Sequence, residues 1–169
     1  MYTQNQLTEI MLDVANRMEN AGLHVDFNKV KPQVEFCRKE KAYASCYRKN
    51  GMFTIKVSKY ALNIDETAMN AVICHELIHT LPNCFNHGAT FKNCANIMND
   101  TYGMCVLTKG CLDKNGKQAK MERPTPKYTI TCNKCGNKGF HNRKCGVIAH
   151  PELYRCRYCN GELSVTCNR

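Results

Sequence analysis

Residues 75–91, HELIHTLPNCFNHGATF, hold three histidines and one glutamate within seventeen positions. On an α-helix, residues four apart share a face one turn from each other, so His75 and His79 are close enough to grip one cation, with Glu76 beside both. Zinc accepts neutral imidazole nitrogen, and a catalytic zinc keeps three protein ligands and one open position. His87 is the candidate third ligand, because Pro82 and Gly88 bracket a short connection able to fold the next element back. Asp100, further along the chain, competes for the same role. A zinc ion held there lowers the pKa of water to about 7. Glu76 is then the general base, taking the water proton during attack on a carbonyl and returning it to the leaving nitrogen. Because the surrounding helix is apolar (AMNAVIC precedes the motif), an unpaired glutamate and two histidines would be costly to bury, and a metal removes that cost. Cys74, Cys84 and Cys94 read as small buried hydrophobes. Tyr47 and Tyr102 are conceivable oxyanion donors with no assigned place.

A second constellation lies near the C-terminus. Cys132-x-x-Cys135 and Cys156-x-x-Cys159 are separated by twenty residues, an interval that suits two knuckles sharing one tetrahedral zinc. So short a segment buries too little apolar surface to hold itself together, so zinc binding, worth about 10–16 kcal/mol, would have to supply the folding energy. Two zinc ions are therefore expected, one catalytic and one structural. Cys145, Cys167, His141 and His150 read as bystanders. Around the knuckles lie Lys134, Lys138, Arg143, Lys144, Arg155 and Arg157, interleaved with Phe140, Tyr154 and Tyr158. Basic heads for phosphates and rings for bases point to DNA, single-stranded or at a junction.

The elements that must position these groups can be read from pattern. Leu7, Ile10, Met11, Val14, Ala15 and Met18 recur at helical spacing, with Gly22 as a stop. AYASCYRK and MFTIKVS flank Asn50-Gly51, with apolar and polar residues alternating in the second run, which predicts a β-hairpin. Asn63 with Glu66 resembles a capping box, opening a helix that runs through His79 until Pro82. A further helix fits 88–101, with Phe91, Ala95, Ile97 and Met98 inward. Residues 113–127 turn to Lys, Gly, Asn, Gln and Pro and read as a linker. The expected organisation is thus a domain over 1–112, a linker over 113–127 and a Cys-rich domain over 128–169.

Composition bounds the rest. Hydrophobic residues make up 43% and charged residues 22% of the chain, a globular balance. No apolar run is long enough for a membrane span, and no basic segment followed by an apolar one opens the chain, so a soluble cytoplasmic protein is expected, nucleoid-associated if prokaryotic. The thirteen cysteines are an odd number, which favours thiols and metal ligation over a disulfide framework. The net charge of +10 is uneven: 12 Lys and Arg face 10 Asp and Glu in 1–112, but 12 face 4 in 113–169. That asymmetry favours a polyanionic partner for the tail.

HELIH with NHGATF, and YTITCNKCG with HPELYRCRYCNGEL, resemble the SprT-like family of zinc metalloproteases. The resemblance implies an α+β zincin-like domain, with a small antiparallel sheet flanking the active helix, and a C-terminal zinc ribbon. It implies that His75, His79 and His87 hold the catalytic zinc, that Glu76 is catalytic, and that Cys132, Cys135, Cys156 and Cys159 hold the structural zinc. It further implies an endopeptidase acting on DNA-bound or DNA-crosslinked protein. A non-catalytic zinc-containing nucleic-acid-binding protein is the alternative, and the free carboxylate of Glu76 argues against it.

Overall fold

The structure is a computed structural model and describes residues 1–122 and 124–168. It is α+β, and the chain divides into two units, Met1–Arg123 and Pro124–Arg169. No described helix is long and apolar enough to cross a membrane.

In the first unit, α1 (Gln4–Asn20) starts at a capping box in which the Thr3 hydroxyl accepts from the Gln6 backbone N–H and the Gln6 side chain accepts from that of Thr3. Its Leu7, Met11, Val14, Ala15 and Met18 are buried, and removing such side chains from water at about 25 cal/mol per Å² of apolar surface is what attaches the helix. β2 (Ala44–Lys49) and β3 (Met52–Ser58) pair antiparallel. Asn50 and Gly51 between them take φ of 50° and 81°, the two left-handed residues that a tight hairpin turn needs. β1 (Glu35–Cys37), unannounced in the sequence pattern, pairs parallel with the other side of β3, so the order is β1-β3-β2 and β2 is an edge.

α2 (Glu66–Ile78) packs against α1 and the sheet and is apolar nearly all round, as a helix between two layers must be. Its N-cap is Asp65 and not the expected Asn63. The Asp65 carboxylate accepts from the Ala68 N–H at 2.8 Å, the reach of an N-cap side chain, and its charge also faces the positive end of the helix. α2 ends with His79 as C-cap, and α3 (Ala89–Tyr102) follows, closed by Gly103 at φ 63°. Phe91, Cys94, Ala95 and Met98 of α3 are buried, whereas Ile97 is only half-buried.

The stretch expected as a linker behaves differently over its first part. Ala119 is buried in the core of the first unit and its N–H donates to the Cys111 carbonyl, Leu112 bridges Gln118, and the Glu122 N–H donates to the Tyr60 carbonyl. Residues 111–122 thus form a strap on the first unit. Tyr43 holds it from below by donating its hydroxyl to the Ala119 carbonyl at 2.5 Å. The apolar anchors Cys111 and Ala119 are too sparse in a Lys/Gly/Gln-rich stretch to signal this from pattern.

In the second unit, β4 (Tyr128–Cys132) lies between β5 (Lys138–His141) and β6 (Leu163–Cys167), antiparallel to both. A single helical turn, α4 (Gly146–Ala149), lies between β5 and β6.

Candidate active site

His75 and His79 lie on the last turn of α2, and His87 is returned to them by the connection to α3. That connection is built from successive turns: Thr80 and Leu81 donate to the carbonyls of Leu77 and Ile78, Cys84 donates to that of Leu81, and Asn83 takes φ 58°. The Gly88 N–H then donates to the Asn86 side chain, and a Cβ on Gly88 would stand 2.8 Å from that same Oδ1, so the close turn favours glycine. The outcome is that the His75 Nε2 stands 3.2 Å from that of His79 and 2.9 Å from that of His87. The Phe91 ring lies under all three imidazoles, 4.8 Å from each centroid.

The protonation pattern identifies what these rings fit. His75 Nδ1 stands 2.8 Å from the Leu107 carbonyl and His79 Nδ1 2.7 Å from the Cys84 carbonyl. A carbonyl only accepts, so both Nδ1 atoms carry the proton and both Nε2 atoms present lone pairs. Burial holds His75 down to about 4 and also lowers His79, so both rings are neutral at physiological pH. Converging lone pairs without a proton between them repel unless a cation accepts them. For ligands about 2.05 Å from a tetrahedral zinc, neighbouring nitrogens are about 3.3 Å apart, close to the spacing found. The three histidines could therefore hold zinc, while Asp100, exposed on α3, is outside the cluster.

Glu76, one residue after the first ligand candidate, is 7% exposed and meets the Cys46 backbone N–H of edge strand β2. Burial raises its pKa to about 7, against the pull of the Cys46 backbone N–H and of Lys39. Of the tyrosines considered as oxyanion donors, Tyr47 lies on the outer face of the sheet opposite Thr54, where Lys39 and Lys56 approach its ring. Tyr102 ends α3. Cys74, Cys84 and Cys94 are buried, with the sulfurs of Cys84 and Cys94 3.9 Å apart.

Two positioning contacts have no signal in the sequence. The Leu107 carbonyl that orients His75 comes from the loop after α3. Asn99 pins that loop, accepting from the Val106 N–H at 2.6 Å and donating to the Val106 carbonyl at 3.2 Å. Contacts of this kind fix the tautomer and ring orientation of a ligating histidine.

The second unit gathers Cys132, Cys135, Cys156 and Cys159, with sulfur separations of 3.4 Å (Cys132 to Cys159) and 3.7 Å (Cys135 to Cys156). Thiolates about 2.3 Å from a tetrahedral zinc would be about 3.8 Å apart. The two turns are alike: the Gly136 N–H donates to the Cys132 carbonyl and the Asn160 N–H to the Cys156 carbonyl. A Cβ on Gly161 would meet the Lys134 Cβ at 2.6 Å and the Cys132 sulfur at 3.0 Å, so only glycine lets the backbone pass the sulfurs. The Asn137 backbone N–H, helped by neighbouring thiols, lowers Cys135 to about 6, while the adjacent Cys135 pushes Cys159 up to about 12. Four thiolates this close repel one another unless a cation lies among them, and this group too is consistent with zinc. His141 and Cys145 approach each other at 3.7 Å and His150 pairs with Glu152; neither these residues nor Cys167 joins the four thiols.

Lys134, Lys138, Arg143, Lys144, Arg155 and Arg157 are all exposed, as are Phe140, Tyr154 and Tyr158. Arg155 donates to the carbonyls of Glu152 and Tyr154, and the Arg157 guanidinium lies 4.5 Å over the Tyr158 ring.

A comparison with curated proteins and with solved structures finds no match to this chain. Residues 3–114, the span that carries the three histidines and Glu76, match the model of the SprT-like family. The chain therefore belongs to the SprT-like family.

Proposed function

We propose that the protein is a zinc-dependent endopeptidase that engages DNA through its second unit and cuts protein bound or crosslinked to it. The observation that carries the first half is the convergence of three imidazole Nε2 atoms around one point, with Glu76 adjacent on the same helix. Zinc bound by His75, His79 and His87 would supply a Lewis acid that polarises a carbonyl and makes water acidic at neutral pH. His75 and His79, locked by the Leu107 and Cys84 carbonyls, keep their lone pairs turned toward the ion. Glu76 accepts the proton that water loses as its oxygen attacks the amide carbon, then donates it to the nitrogen as the C–N bond breaks. The free edge of β2 offers backbone groups to which an extended substrate chain can add as a further strand.

Support for the DNA half is the charge of residues 124–169, 8 basic against 2 acidic, together with exposed rings beside exposed arginines and lysines. Phosphate neutralisation by these heads and stacking on Phe140 or Tyr158 give salt-sensitive binding with little sequence preference.

The decisive experiment is Glu76→Gln. Zinc content should stay at the wild-type level while cleavage of a DNA-bound protein falls about 10²–10⁴-fold. Undiminished cleavage would remove the peptidase reading in favour of a non-catalytic zinc protein. For the nucleic acid, the double variant Lys138→Glu, Arg157→Glu should weaken binding and flatten its salt dependence, by about one unit of slope per lost phosphate contact.

A further inference from the structure

A cavity of about 800 Å³ opens beside Glu76 and His75, within the range of sites that enclose a ligand group. Resting on the peptidase reading above, we infer that this cavity is the specificity pocket for the substrate residue flanking the cut bond, that it takes an apolar side chain, and that its rim rejects basic ones.

The floor sets the class. Ala44, Ala71, Val72 and Ala119 are buried and line it, four short aliphatic side chains that leave room for a longer one. Ala71 is one turn before His75 on the same helical face, and it stands outside the main apolar core, with its methyl group toward the cavity. Leu107 and Met121 extend the apolar wall. Filling such a floor removes a substrate side chain from water, which is the discrimination a hydrophobic pocket can deliver.

Charge at the mouth narrows the choice. Lys41, Lys109 and Lys120 line the cavity and are exposed, so a lysine or arginine entering would pass three like charges, whereas acidic residues next to the pocketed one would be attracted.

The wall is preformed. Residues 118–121 belong to the strap, which is fastened at both ends. Tyr43 donates to the Ala119 carbonyl and accepts from the Gln118 side chain at 2.6 Å, and Asp65 accepts the Lys114 N–H at 2.9 Å while capping α2. A pocket whose walls are already ordered discriminates without the cost of ordering them on binding.

The test profiles the zinc-loaded full chain on a proteome-derived peptide library, with cut sites read by mass spectrometry and the Glu76→Gln protein as blank. One position beside the cut should be enriched in Leu, Met and Phe and depleted in Lys and Arg, with Asp and Glu favoured nearby. Ala71→Leu should lower kcat/KM for large apolar residues there about tenfold or more and move the preference to Ala, Ser and Gly. Lys41→Glu with Lys120→Glu, at exposed positions that do not threaten folding, should admit basic residues and abolish the taste for acidic neighbours. A profile indifferent to the folded variants, or a wild-type preference for Lys and Arg at that position, overturns the inference alone. No cutting above the blank refutes the peptidase reading and this inference with it.

Discussion

The two clusters of candidate metal ligands stand in opposite relation to the folds that carry them. In the first unit, Leu7, Met11, Val14, Met69, Ile73, Leu77 and Met98 form a core that does not include the histidines, which lie at its edge on a finished helix end. In the second, the buried apolar side chains among the described residues are Ile130 and Ile148, and the remaining buried positions include Cys132 and Cys156, which belong to the cluster itself. One fold has a core apart from its candidate ligands; the other has little core besides them. The difference teaches that the same ion would have a chemical role where the scaffold stands without it and a folding role where the scaffold cannot.

The largest effect should come from metal removal. Chelation should abolish protection from hydrogen exchange across β4, β5 and β6, a loss on the scale of about 10–16 kcal/mol, and leave α1 and α2 protected. Equal loss in both units would erase the contrast. Phe91→Ala attacks the boundary between core and site, since Phe91 is fully buried and also lies beneath the three imidazoles. It should cost about 3–5 kcal/mol in thermal or denaturant unfolding of the first unit, without altering the second. His87→Ala should reduce bound zinc from two ions per chain to one with the fold intact, whereas Cys156→Ser should remove one ion and the fold of the second unit together.

Asn99→Ala is subtler. Freed from its clamp, the Val106–Leu107 segment no longer aims its carbonyl at His75, and affinity at the histidine site should fall about 10–100-fold in chelator competition, with the thiol site unchanged. The smallest effect is expected from Asp65→Ala, which removes the cap of α2 and should lower the stability of the first unit by about 1 kcal/mol. A far larger loss would show that the Lys114 contact to the strap matters more than the cap.

What residue order alone discloses about this protein is local. The i, i+4 spacing of His75 and His79, the two positive-φ residues Asn50 and Gly51, the apolar stripe of α1 and the paired Cys-x-x-Cys knuckles each express a rule that acts over a few residues. These features announce two helices and a hairpin of the first unit and both clusters of candidate ligands. The cap of α2 lies two residues beyond its expected place because Asn63 and Asp65 are both good caps, and only the path of the chain into the helix selects between them.

Tertiary structure alone decided what depends on distant partners. The parallel pairing of β1 with β3 joins segments about twenty residues apart and has no turn signature to betray it. The strap over 111–122 hides in loop-like composition because two small buried residues and backbone hydrogen bonds hold it, not a periodic apolar face. The convergence of His87 on His75, the Leu107 carbonyl behind His75 and the cavity beside Glu76 arise where helix, loop, strand and strap meet. Sequence thus determined which residues are candidates to ligate and catalyse, since that is a property of side-chain type and local spacing. Their common orientation, and the space left beside them, came from long-range packing, which no local pattern encodes.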